Sequence, residues 1–148
     1  SDRAVELGLP RVPTPHADEW TKPGLLRIIS PASPWQMNSS YGNDQVIQRR
    51  LGPATVTLHP DDAAAQGFAE GDSVVLVNEA GRLPLAVTIS KAEQPGVGII
   101  YKGRWPGASP SDANVNVLVA GRKTDMAEST TVHSTVVRLE RAETSAQP

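Results

Sequence analysis

The stretch Leu25-Leu26-Arg27-Ile28-Ile29-Ser30-Pro31-Ala32-Ser33-Pro34-Trp35-Gln36-Met37-Asn38-Ser39-Ser40-Tyr41-Gly42-Asn43 decides how this chain is read. An apolar, β-type run stops at Ser30 and opens into a loop crowded with small hydroxyl and amide side chains around one indole. Such a loop has no apolar stripe with which to build a core. Its spare donors and acceptors sit just past a strand end, which suits a polar, extended, phosphate-bearing ligand. The competing reading is a solvated Ser/Asn/Pro turn. Against it stand Trp35, with a flat face and one N–H donor, and Gly42-Asn43, where the backbone can approach a ligand closely.

Composition bounds the rest. At 148 residues one domain with a single substantial core is expected. Aromatic residues are only 4%, so that core must rest on Val, Ile, Leu and Ala. Thirteen Pro and twelve Gly favour many turns and short elements, hence a mainly β fold. A formal charge of −2 and the lack of clustered Lys and Arg argue against nucleic acid as a partner. The chain has no Cys, which removes disulfides, iron–sulfur ligands, thiolate zinc and a Cys nucleophile. No run reaches the roughly 18 apolar residues of a membrane span. The cytoplasm is the expected location, with the periplasm open through a missing N-terminus. Ser1 in place of Met reads as a processed product or an excised piece.

Along the chain, residues 1–23 form a Pro-rich lead-in with no sustained period, 24–141 the core domain, and 142–148 a flexible tail. Strands are expected at Leu25–Ile29, Ala54–Leu58, Ser73–Asn78, Leu83–Ser90, Val97–Tyr101, Asn114–Val119 and Val132–Leu139. Short helices fit Asp44–Leu51, stopped by Gly52-Pro53, and Pro60–Gly67. Glu79-Ala80-Gly81-Arg82 reads as a hairpin turn. Seven short strands with two small helices point to a closed barrel, because closure removes exposed edges.

Catalytic signatures are absent from the sequence. His16, His59 and His133 lack metal-pair spacing and read as surface or capping residues. No nucleophile elbow, phosphate-binding P-loop or dinucleotide glycine fingerprint occurs. Asp61-Asp62 has diverging carboxylates and reads as helix-terminus electrostatics. Two segments share the character of the opening loop. Tyr101–Gly107 follows a strand and offers two cations, Lys102 and Arg104, for phosphate, with Trp105 beside them. Asn114-Val115-Asn116 and Lys123-Thr124-Asp125-Met126 add amides, a hydroxyl and a carboxylate able to accept paired N–H bonds from a guanine or pterin edge. Each alone is commonplace. Three at strand ends of one small barrel make a ligand site.

The order of these pieces resembles the C-terminal molybdopterin guanine dinucleotide-binding domain of the dimethyl sulfoxide reductase and formate dehydrogenase superfamily. The likeness runs from Gly24 to Glu140, through residues 25–43, 59–78, 95–105, 114–118 and 124–126. It implies a double-psi β-barrel, mainly β with a few short helices. It implies that Ser30, Ser33, Trp35, Asn38, Ser39 and Ser40 in the first loop touch the dinucleotide. Lys102, Gly103 and Trp105, with Asn116, Thr124 and Asp125, would approach the pterin or its nucleotide. Gly67–Asp72 would be structural.

The resemblance further implies a domain that caps the cofactor and holds neither a catalytic nor a metal-ligating residue. Molybdenum or tungsten would be held by the remaining domains of a parent oxidoreductase, its partners here. Two features depart from the family pattern: Ala127-Glu128-Ser129 replaces a Gly-rich stretch, and Val132 replaces an aromatic before His133. One alternative is a separate barrel subunit of a formylmethanofuran dehydrogenase-like complex. Another is the substrate-recognition barrel of an AAA ATPase, which would not need Trp35 or the Asn38-Ser39-Ser40 loop. A pyruvoyl decarboxylase on this barrel needs a Gly-Ser cleavage point, and the chain has none.

Overall fold

The computed structural model describes residues 1–12, 22–108, 113–124 and 128–142. Six strands, β1 (Leu26–Ile29), β2 (Thr55–Leu58), β3 (Ser73–Val77), β4 (Arg82–Ile89), β5 (Val97–Ile99) and β6 (Thr135–Arg141), carry the fold. They close into a barrel in the order β1-β5-β2-β4-β3-β6. β1 and β5 run parallel, with Arg27 opposite Val97 and Ile29 opposite Ile99. β2 and β4 are parallel as well, Thr55 opposite Ala86 and Leu58 opposite Ile89. The other four pairings are antiparallel. Parallel partners cannot be joined by a tight turn, so each pair demands a long crossover. Two such crossovers in one closed barrel give the double-psi architecture.

The alternation read in the sequence sets the inside. Leu26 and Ile28 of β1, Val56 and Leu58 of β2, Val74 and Leu76 of β3, and Val137 of β6 are all buried to 1% exposure or less. Each such side chain contributes about 1.5–3 kcal/mol relative to exposure. As the composition requires, the core is aliphatic; Phe68 is the aromatic buried with it. The helices are short: α1 (Asp2–Glu6), α2 (Gln45–Leu51) and α3 (Pro60–Ala65). Asp44 caps α2 by accepting hydrogen bonds from the backbone N–H groups of Val46 (2.8 Å) and Ile47 (3.0 Å). His59 caps α3, its Nδ1 accepting from the Asp61 N–H at 3.1 Å. Asp62 does more than favour a helix end, since its carboxylate accepts from the Gly96 N–H at 2.7 Å and anchors the entry to β5.

Three expectations are corrected. The barrel has six strands and not seven, because Asn114–Val119 is no strand but a 3₁₀ turn at Val115–Leu118. Asn114 Oδ1 accepts from the Asn116 N–H at 3.0 Å, and the Val117 and Val119 N–H groups bond back three residues. Val115 and Leu118 therefore share the buried side at a spacing of three. Val132–Ser134 is likewise a 3₁₀ turn, and the last strand begins at Thr135. The lead-in also holds a helix at Asp2–Glu6, because Ser1 supplies an N-cap hydroxyl to the Ala4 N–H and the prolines begin only at Pro10. Residues 13–21, with His16, and the tail from 143 lie outside the described residues.

The β3–β4 hairpin turns where expected, with Asn78 Oδ1 accepting from the Ala80 (2.9 Å) and Gly81 (3.2 Å) N–H groups. A Cβ on Gly81 would stand 2.6 Å from the Val117 carbonyl oxygen, so the turn is pressed against the 3₁₀ segment. We expect Gly81→Ala to lower unfolding stability in urea by about 1–3 kcal/mol through this overpacking. A change below about 0.5 kcal/mol, the range of inert surface substitutions, would contradict the contact.

Candidate functional site

Parallel pairing places the C-terminal ends of β1 and β5 side by side, so the loops that leave them start as neighbours. The backbone ladder continues past the strands: the Ile100 N–H donates to Ile29 O and the Lys102 N–H to Pro31 O, both at 3.0 Å. Ala32 and Lys102 form a parallel bridge beyond them. A third wall comes from the 3₁₀ turn, tied in by the Asn114 side-chain amide, which donates to Arg104 O at 3.0 Å.

These three segments enclose a cavity of about 380 Å³ whose lining includes Asn38, Ser39, Lys102, Gly103, Trp105 and Asn116. Half of the twelve site residues expected from the sequence thus meet in one place. Among the described residues no Asp or Glu lines it, and Lys102 brings a cation. The two main walls touch at the backbone. Gly103 has φ +101°, and a Cβ there would stand 2.1 Å from Asn38 O. Asn38 itself is left-handed at φ 53°, a region Asn enters more readily than most residues.

The other expected residues fall elsewhere. Ser33 and Trp35 line an adjoining, mostly apolar cavity of about 180 Å³ with Leu85, Ile100, Tyr101 and Arg50. Ser33 is buried and its hydroxyl accepts from the Trp35 N–H at 3.1 Å, a turn-closing bond. One face of Trp35 is covered by the Arg50 guanidinium, 4.7 Å from the ring centroid. Ser30 is buried, with its backbone N–H 3.5 Å from His133 Nδ1. Ser40 is exposed and bridges back to Met37. Thr124 folds its own loop, its hydroxyl accepting from the Ser129 N–H at 3.1 Å. Asp125 lies outside the described residues.

Two side chains expected to face a ligand give their N–H groups to backbone carbonyls of the protein. The Arg104 guanidinium donates to the carbonyls of Leu51 (3.0 Å), Gly52 (3.0 Å) and Pro53 (2.8 Å), closing the C-terminal end of α2. Burial holds its pKa below the ordinary arginine value. The Trp105 indole N–H donates to Ser39 O at 2.7 Å, so this ring clasps the walls together. Both cations expected for phosphate line the cavity, but the Arg104 guanidinium already serves the end of α2, which leaves Lys102 for a ligand. Sequence reasoning missed Gln36, a buried carboxamide between the same two loops. Its polarity matched that of Asn38, Ser39 and Ser40 in the same loop, and only the burial singles it out. Among the described residues no group of three His, Asp or Glu is placed to hold a metal ion. No helix among them is long and apolar enough to cross a membrane.

The family model described as "Molydopterin dinucleotide binding domain" matches residues 26–136. The chain is similar to the probable dimethyl sulfoxide reductase chain YnfF of Escherichia coli K12, 31% identical over 140 residues covering 86% of this chain and 17% of that protein. It is similar to trimethylamine-N-oxide reductase 1 of the same strain, 33% identical over 128 residues, 78% of this chain and 15% of that one. The dimethyl sulfoxide/trimethylamine N-oxide reductase of Rhodobacter capsulatus is 36% identical over 103 residues, 62% of this chain and 12% of that protein. The chain therefore spans about a sixth of the length of the first of these relatives. Among solved structures, acetylene hydratase from Pelobacter acetylenicus shares the fold, with a TM-score of 0.59 at 22% identity over 69% of this chain and 15% of that one.

The geometry makes Arg104 a structural clamp that a lysine cannot replace, because one ammonium cannot span three carbonyls. Arg104→Lys is expected to lower unfolding stability by about 1.5–3 kcal/mol, the range for hydrogen bonds to a charged group. Denaturant titration with α2 followed by hydrogen exchange reads this; full protection of α2 in the variant would refute the clamp.

Proposed function

The chain belongs to the molybdopterin dinucleotide-binding domain family, and from that membership we propose that its 380 Å³ cavity is where it grips the guanine dinucleotide form of the cofactor. The observation that carries the reading is the convergence of Asn38, Ser39, Lys102, Gly103 and Asn116 at the C-terminal ends of two parallel strands. The donor set fits the group. A lysine ammonium and unopposed amide and hydroxyl donors suit a pyrophosphate and the polar edges of a pterin or guanine. Among the described residues the lining brings no carboxylate to repel it.

In this reading Lys102 offsets phosphate charge, while Asn38, Ser39 and Asn116 orient the heterocycle and sugar by hydrogen bonds. Gly103 and Trp105 hold the two loops at their spacing, and the barrel excludes water from one side. When bound, the cofactor supplies the metal-centred redox chemistry, with molybdenum or tungsten held by parts of the protein outside this chain. No residue here is assigned to the reacting centre. The small share of each relative that the chain covers supports one capping domain of a longer oxidoreductase. The substrate and redox partner belong to that longer protein.

The test is cofactor content in the polypeptide that carries this domain. Lys102→Ala is expected to reduce guanine nucleotide and metal retention about tenfold or more, through one lost charge-assisted bond, and Asn38→Ala about fivefold, through one lost neutral bond. Ser40→Ala, which touches neither cavity, should leave retention within about twofold, as surface substitutions do. Wild-type retention in both of the first two variants would reject the assignment.

A further inference from the structure

Behind the Trp105 ring lies a smaller cavity of about 130 Å³, lined by Gln36, Gly42, Gln48, Gly52, Arg104 and Trp105 among others. Gln36 is 7% exposed, and both its Oε1 and its Nε2 are buried without a hydrogen-bond partner. Its carboxamide is wedged between the two loops. A Cβ on Gly42 would stand 3.0 Å from Nε2, and one on Gly103 would stand 3.4 Å from Oε1. Buried amides in native proteins are paired, and an orphan one calls for a partner the chain itself does not supply.

The neighbouring protein donors are committed. The Trp105 N–H serves Ser39 O, Gln48 Nε2 donates to Gly42 O at 3.1 Å, and Arg104 serves the end of α2. What completes Gln36 must therefore enter the cavity. It must also be small, because the cavity that holds the amide is only about 130 Å³ and Gly42 and Trp105 crowd it. Water fits: it both donates and accepts, and the cavity is several times the roughly 30 Å³ that one molecule occupies in the liquid.

We propose that this cavity is an internal water site and that Gln36 is a positioning residue of the dinucleotide pocket. Water there accepts from Gln36 Nε2 and donates to Oε1, and its remaining O–H reaches a backbone carbonyl of the lining, that of Gly42 or Gly52. In that way it fixes the spacing between the wall bearing Asn38 and Ser39 and the wall bearing Lys102 and Gly103. The positioning role rests on the dinucleotide reading above; the water site does not.

A high-resolution crystal structure of the polypeptide that carries this domain tests the first claim. Ordered water is expected within about 3.2 Å of both amide atoms. A cofactor atom, a side chain from elsewhere in that protein, or no partner at all would overturn it. Gln36→Met, similar in length but without donor or acceptor, tests the second. Guanine nucleotide should be released about tenfold faster on mild warming, and Gln36→Asn, which keeps an uncharged donor and acceptor for water, should recover most of the retention. Unchanged release from Gln36→Met, or equal loss in both variants, would overturn the positioning role. If Gln36→Met does not fold, the wild-type density still decides the water site. If the wild-type protein carries no dinucleotide, that reading fails separately while the density continues to test the cavity.

Discussion

The parallel pairing of β1 with β5 is the constraint on which the rest depends. Antiparallel strands could have been joined by a hairpin, and their loops would then leave opposite ends. Parallel partners send both loops out of the same end, and they require the chain between them to travel around the barrel first. That excursion is α2, β2, α3, β3 and β4. The bond from the Lys102 N–H to Pro31 O extends the pairing into the loops themselves. Residues 38–39 and 102–105 are brought together by this backbone register, and the Trp105 indole then pins the two loops through Ser39 O.

Much of this was legible in the sequence, for identifiable reasons. Alternation marked β2, the Gly52-Pro53 stop marked α2, and Glu79-Ala80-Gly81-Arg82 marked the hairpin. The order of segments carried the family resemblance over nearly the same residues as the family match, 26–136. The failures have physical causes too. Val115, Val117 and Val119 alternate like a strand, yet a single Asn side chain at 114 captures the Asn116 N–H and turns the backbone into a 3₁₀ coil. Ser1 made a helix of a segment whose prolines suggested none.

The site was legible as a neighbourhood and less so as a list of roles. Residue type tells what a side chain can bind, and not whether the protein already holds it. Arg104 and Trp105 have the chemistry of phosphate and heterocycle binding, but carbonyls at Leu51, Gly52, Pro53 and Ser39 take their N–H groups first. Ser33 is used the same way, by its own turn. Gln36 is the reverse case. Nothing in its type distinguishes it from Asn38, and its burial arises only when Gly42 and Gly103 meet around it.

The barrel is closed by β1 against β6, with Leu26 opposite Val137, so its first strand waits for its last. Contacts this far apart in sequence delay folding, because the intervening chain must be ordered before they reward it. A polypeptide emerging from the ribosome would hold the opening loop long before β5 arrives to give it a second wall. Assembly of the pocket is therefore a late event in the life of this chain. A cofactor gripped by both walls would meet a finished barrel, and its capture would be timed by the completion of the fold.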